Sequence, residues 1–143
     1  MCTVASVASW AEIEAAELDF ARRVRERFDV GRHKTIATLR VDGSPRISGI
    51  ECQVVDGELR MGSMPNSRKG ADLARDPHFA LHGPTGNPAV GEESSWEPEA
   101  KISGTASSGG QIGAMAGEWW CADIAEVAMT GLNDDATKLR IEW

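Results

Sequence analysis

The sequence predicts a mainly β fold of the α+β class, a small antiparallel barrel with a few short helices at its flanks. Three observations lead there. Beyond the first 30 residues, apolar side chains recur with period two in a series of short runs. Tight-turn chemistry separates the early runs, and only one later segment, about two turns long, reads as a helix.

The elements follow in order. Ser9 and Glu12 have capping-box spacing, and Trp10, Ile13, Ala16, Phe20, Val24 and Phe28 recur every three to four residues, which predicts one amphipathic helix over 9–29. Arg22, Arg23, Arg25 and Arg27 fall mostly on its other faces, as solvated charges. "KTIATLRV" then begins the period of two, "DGSP" at 42–45 supplies a turn, and "RISGIECQVV" returns as the second strand. Asp56-Gly57 is a two-residue hairpin signal, because a type I′ turn needs positive φ at both central residues; "ELRMGSM" is the third strand. Pro65 and Asn66 or Ser67 can open a helix, "RKGADLAR" continues it, and Asp76-Pro77 ends it. "HFALH" is a fourth strand, "AKISGTAS" a fifth, and "WWCADIAEVAMTGL" with "KLRIEW" the last two. The Gly/Pro-rich stretch 83–99 is a loop long enough to be either a functional rim or disordered, and "SSGGQIGAMAG" reads as a connector or short helix, not as a dinucleotide fingerprint.

Composition narrows the function. At 143 residues, with 41% apolar and 26% charged residues, the chain is expected to be one domain, 1–143, with a core of its own. No apolar run approaches the roughly 20 residues of a membrane span, and the N-terminus lacks a signal peptide's basic and apolar regions, so the expected compartment is the cytoplasm. The net charge is -7, without the basic stripe a nucleic acid would require; any anionic partner is small. Cys2, Cys52 and Cys121 are widely spaced, without a C-x-x-C pair, and read as buried or terminal thiols. His78 and His82 read as residues of one strand, about 13 Å apart at roughly 3.3 Å per residue, too far to share a metal ion. His33 opens a strand with a solvated or capping role. Glu92 and Glu93 are solvated loop charges, and no catalytic acid, base or nucleophile stands out.

One motif remains. "NSRKGADLARDP" places Ser67, Arg68 and Lys69 where a strand ends and a helix starts. A helix N-terminus offers unpaired N–H groups and a positive dipole to a phosphate. The triplet adds a hydroxyl, a guanidinium fork and a point charge. Cations in a first turn otherwise oppose the dipole by ~0.3–1 kcal/mol, so solvated charges and a phosphate site stand as alternatives at this point.

The stretch from His33 to His82, with its "DGSPR" hairpin, "ELRMGS" strand and "NSRKGADLARDP" segment, resembles the pyridoxamine 5′-phosphate oxidase-like family of flavin-binding split barrels. The resemblance implies a six-stranded antiparallel split β-barrel that forms a homodimer and binds FMN, or a deazaflavin coenzyme, in clefts between subunits. It implies that Arg68 and Lys69 hold the cofactor phosphate beside Ser67, that Gly62 and Ser63 line the flavin, and that Arg46, Ile47, Ser48 and Gly49 run along its ring. Lys101 is a further candidate contact. No metal is implied. Two departures count against a true pyridoxine 5′-phosphate oxidase: Glu51 stands where those enzymes carry a substrate-phosphate lysine, and the C-terminal Arg-x-His-type segment is absent. Three function classes follow: an FMN-dependent oxidoreductase, a deazaflavin-dependent one, and a non-catalytic flavin- or haem-binding protein.

Overall fold

The computed structural model describes residues 7–110, 117–134 and 138–142. Among these, helices α1 (Trp10–Ala16) and α2 (Leu18–Asp29) precede strands β1 (His33–Leu39), β2 (Pro45–Val55) and β3 (Glu58–Ser63). Helix α3 (Arg68–Arg75) leads to β4 (His78–His82), β5 (Glu99–Gly110), β6 (Glu118–Leu132) and β7 (Leu139–Glu142). All pairings are antiparallel in the order β3-β2-β1-β4-β5-β6-β7, and an extra pairing of β3 with β6 closes six strands into a barrel. β7 extends the sheet beyond that closure. The expected six-stranded barrel with short flanking helices is therefore the observed architecture.

Local chemistry accounts for the joints. The β2–β3 turn has positive φ at both Asp56 (51°) and Gly57 (77°), as a type I′ turn requires. In the β1–β2 turn the Asp42 carboxylate accepts from the Ser44 N–H at 2.9 Å while Gly43 takes φ 82°. β5 and β6 slip register between Ser103 and Gly104, opposite Ile124 and Glu126. A Cβ at Gly104 would lie 2.0 Å from the Asp123 carbonyl oxygen, so this bulge requires glycine. The bend lets the 15-residue β6 turn back onto β3, its residues 118–121 pairing with Arg60–Ser63.

Two expectations are corrected. The single helix over 9–29 is two helices, interrupted at Glu17 (φ -140°, ψ 69°). The break lets each half dock separately: the α1 backbone donates from Ala11 N–H to the Gly57 carbonyl at 2.9 Å, and Arg27 on α2 donates to the Pro98 carbonyl at 2.8 Å. The capping box at Ser9 and Glu12 is present. The run read as a connector begins as strand, because Ser107–Gly110 continue β5 against β6; residues 111–116 lie outside the described region. In the stretch 83–99 a 3₁₀ turn (Glu93–Ser95) forms, and Gly83 N–H donates to the Ala100 carbonyl at 2.9 Å, closing the loop's base.

The core fills the barrel and the groove under α1 and α2, with Trp10, Val24, Ile36, Met61, Leu73 and Ile102 buried. Along β2, Ile50 faces this core while Ile47 and Gly49 face outward, exposed. Among the described residues no helix is long and apolar enough to cross a membrane.

Candidate functional site

α3 closes one end of the barrel, and its attachment decides where Lys69 sits. Leu73 supplies the apolar anchor. Asp72, whose side chain is 3% exposed, supplies the polar one: one carboxylate oxygen accepts from Arg46 Nε at 2.7 Å and Thr38 Oγ1 at 2.8 Å, the other from Arg75 at 3.0 Å. Burial pushes this carboxyl's pKa up, but the bonds from Arg46, Thr38 and Arg75 outweigh it and hold the group at about 2. Arg75 also donates to the Leu39 carbonyl at 2.7 Å. One carboxylate thus ties α3 to β1 and β2.

At the other end of the helix Ser67 is the N-cap, its hydroxyl oxygen accepting from Gly70 N–H at 3.1 Å. Arg68 is exposed, and Lys69 turns toward the sheet. There a cavity of about 280 Å³ is lined by His33, Gly49, Ile50, Glu51, Gly62, Ser63, Met64, Lys69 and Trp119. The register explains the convergence, since Glu51 pairs with both His33 on β1 and Gly62 on β3, and Gly62 pairs with Trp119 on β6. The indole lies against Gly62: a Cβ there would meet the ring at 2.8 Å. In front of Gly49 there is open space.

The cavity's charges are unspent. Lys69, Glu51 and His33 have no hydrogen-bond or ion-pair partner among the described residues, in contrast to Asp72 and Arg46 nearby. The Trp119 Nε1–H is buried without a partner among them. On the opposite side of α3's first turn a carboxylate is already present: Glu118 Oε2 and Ser67 Oγ would lie 2.8 and 3.0 Å from a Cβ at Gly70. The helix N-terminus therefore meets Glu118 on its β6 side and the cavity on its Lys69 side.

Of the residues singled out from the sequence, Gly49, Gly62, Ser63 and Lys69 share this cavity. Ile47 and Lys101 line a different one, about 500 Å³, on the outer face of β1, β4 and β5, where Lys101 donates to Thr130 Oγ1 at 2.9 Å. Arg46 is held by Asp72, and Ser48 is half-buried on the inward side of β2. His33, Met64 and Trp119 were not singled out as lining residues. Trp119 could have been noticed as half of a Trp-Trp pair opening a strand, but its place beside Gly62 depends on the β3–β6 closure. Among the described residues no cluster of His, Cys, Asp and Glu could hold a metal ion.

Comparison with solved structures places this geometry in context. A haem-binding protein from Mycobacterium smegmatis superposes with a TM-score of 0.63 at 14% identity, over 84% of this chain and 56% of that one. A protein from Listeria innocua described as a pyridoxamine 5′-phosphate oxidase gives 0.59 at 12% identity, over 76% and 95%. An F420 reductase gives 0.53 at 11% identity, over 72% and 94%. The fold is that of the split barrel. At these identities the likeness extends to the fold alone, and this chain spans little more than half of the mycobacterial protein. No family model matches the sequence, and no curated protein matches it.

Proposed function

We propose that this chain binds a flavin-type cofactor carrying a phosphate, FMN by preference, at the cavity between β2, β3 and α3, and acts as an oxidoreductase on a small molecule. The observation that carries the reading is the unpaired Lys69 beside the first turn of α3, in a cavity with open space in front of Gly49. Lys69 and the start of α3 suit a phosphate, with Ser67 capping the helix and Arg68 in the solvent beside it. Gly49 lets a planar ring approach the backbone, while Gly62 seats the Trp119 indole that forms the adjoining wall. Trp119 excludes water from one wall. When bound, a flavin supplies hydride transfer; the protein's part is to bind, orient and set the local charge.

The same phosphate chemistry fits a deazaflavin coenzyme, in keeping with the F420 reductase neighbour, and the haem-binding neighbour adds a non-catalytic alternative. A homodimer completes the proposal. Exposed Ile47 with Thr35, Ala37 and Ala80 forms a small-residue outer face beside the cavity, and a second copy seated there would cover the site. Glu51 opposes a second phosphate, so pyridoxine 5′-phosphate is not the expected substrate.

Purification without added cofactor, followed by extraction, absorption spectroscopy and mass analysis, tests the reading. An oxidised-flavin spectrum and the mass of FMN are expected. A Soret band, or the absence of any chromophore together with no binding of added FMN, would overturn it.

A further inference from the structure

The attachment of α3 has a non-directional part and a directional part. Leu73 is buried, but an apolar contact tolerates sliding and rotation, whereas a hydrogen bond fixes a distance and an angle. Thr38 and Arg46 are direct cross-strand partners on β1 and β2, and both donate to the same oxygen of Asp72, at 2.8 and 2.7 Å. The other oxygen accepts from Arg75, which also reaches the Leu39 carbonyl. One carboxylate, 3% exposed, therefore reads the position of two strands at once.

Lys69 stands three residues before Asp72, on the same face of the helix. It shares its cavity with Gly49, three residues after Arg46 on β2. A ligand that runs from this strand to the start of the helix spans two elements whose relative place is set from outside the cavity, because Asp72, Thr38 and Arg46 are not among its lining residues. The first turn has a further tie in the Ser67 N–H, which donates to the Met64 carbonyl at 3.2 Å, but that bond holds the turn to its own preceding loop and not to β2.

We infer that Asp72 is a positioning residue for the phosphate end of the ligand: it fixes the first turn of α3 against β2, and so sets how well Lys69 meets a phosphate when the ring lies beside Gly49. This role rests on the flavin reading of the cavity. It assigns to a carboxylate that touches neither ligand a part in telling FMN from riboflavin.

A double-mutant cycle separates positioning from general stability. FMN and riboflavin are titrated, with flavin fluorescence as the readout, into wild type, Asp72→Asn, Lys69→Ala and the double variant, below the unfolding transitions of all four. A partly unfolded sample loses both ligands in proportion, so the ratio of FMN to riboflavin affinity cancels the structural contribution. Asp72→Asn is expected to lower that ratio at least about fivefold when Lys69 is present and less than about twofold in the Lys69→Ala background, the non-additivity of residues that act as one unit. Thr38→Val removes one donor and keeps the ion pair; it is expected to lower the ratio by about twofold to fivefold, and it carries the test if Asp72→Asn does not fold. An unchanged ratio in the folded variants, or an equal fall with and without Lys69, overturns the inference. So does a rise in the ratio, the sign of an Arg46 freed to take the phosphate itself. Wild-type protein that binds neither ligand, or binds riboflavin as well as FMN, defeats the flavin reading and the positioning role with it, whereas a wild-type preference for FMN that the variants keep defeats the positioning role alone.

Discussion

Replacing Asp72 by asparagine should do more damage than any other single polar change in the barrel. The substitution keeps the size of the side chain but removes its charge, leaving the Arg46 guanidinium, 18% exposed, without its counter-ion. Breaking a buried pair by removing one partner costs about 3–5 kcal/mol. The partial exposure of Arg46 and of Arg75 puts the expected loss at the lower end, about 2–3 kcal/mol. For a chain of this length each kcal/mol lowers Tm by roughly 2–4 °C, so thermal unfolding at pH 7 should shift down by roughly 4–12 °C. The pH dependence gives an independent arm. A carboxylate held at about 2 in the folded chain is below its ordinary value near 3.8, so its contribution is complete above the ordinary value and is lost as pH falls through the folded one. Between pH 5 and pH 2 the wild type should therefore lose ~2 kcal/mol that Asp72→Asn never had, and the two unfolding curves should converge in acid. A variant within about 0.5 kcal/mol of wild type at pH 7, on the scale of ordinary surface changes, would refute the tethering argument.

Two further outcomes test the fold at single atoms. Gly104→Ala should prevent accumulation of folded protein or cost more than about 3 kcal/mol in denaturant unfolding, because its Cβ would meet backbone, which cannot move aside as a side chain can; a mild loss would show the β5–β6 bulge to be adjustable. Cys52 should resist alkylation at pH 8 in the folded protein, since burial pushes its thiol up to about 12, with the nearby Glu51 adding to the effect and Lys34 opposing it; labelling at the rate of an unfolded control would contradict that environment.

The strands were legible because their side chains alternate and their turns are marked by Asp42-Gly43, Asp56-Gly57 and Asp76-Pro77, all local signals. Ser67 was legible as an N-cap for the same reason. The helical run was misread as continuous because its periodicity holds through Glu17, while the break answers to two docking partners far along the chain. Long-range closure was not legible. Nothing near Trp119 says that it will face Gly62, and nothing near Asp72 says that Arg46 and Thr38 will reach it from two other strands. Arg46 gains a partner that its place in the sequence did not announce, since its guanidinium is bound to Asp72 in the closed barrel. Local chemistry left Lys69 between a phosphate ligand and a solvated charge, the family resemblance implied the former, and the fold adds the cavity that it lines.

The most direct measurement of the central claim compares FMN with riboflavin, which lacks the phosphate, in wild-type and Lys69→Ala protein. A hydrogen bond to a charged group contributes about 1.5–3 kcal/mol, so FMN should bind more tightly than riboflavin, and Lys69→Ala should weaken FMN roughly tenfold or more. Riboflavin, with nothing for Lys69 to neutralise, should change by less than about threefold. Equal losses for the two ligands, or riboflavin binding as well as FMN in the wild type, would contradict a phosphate site at the start of α3.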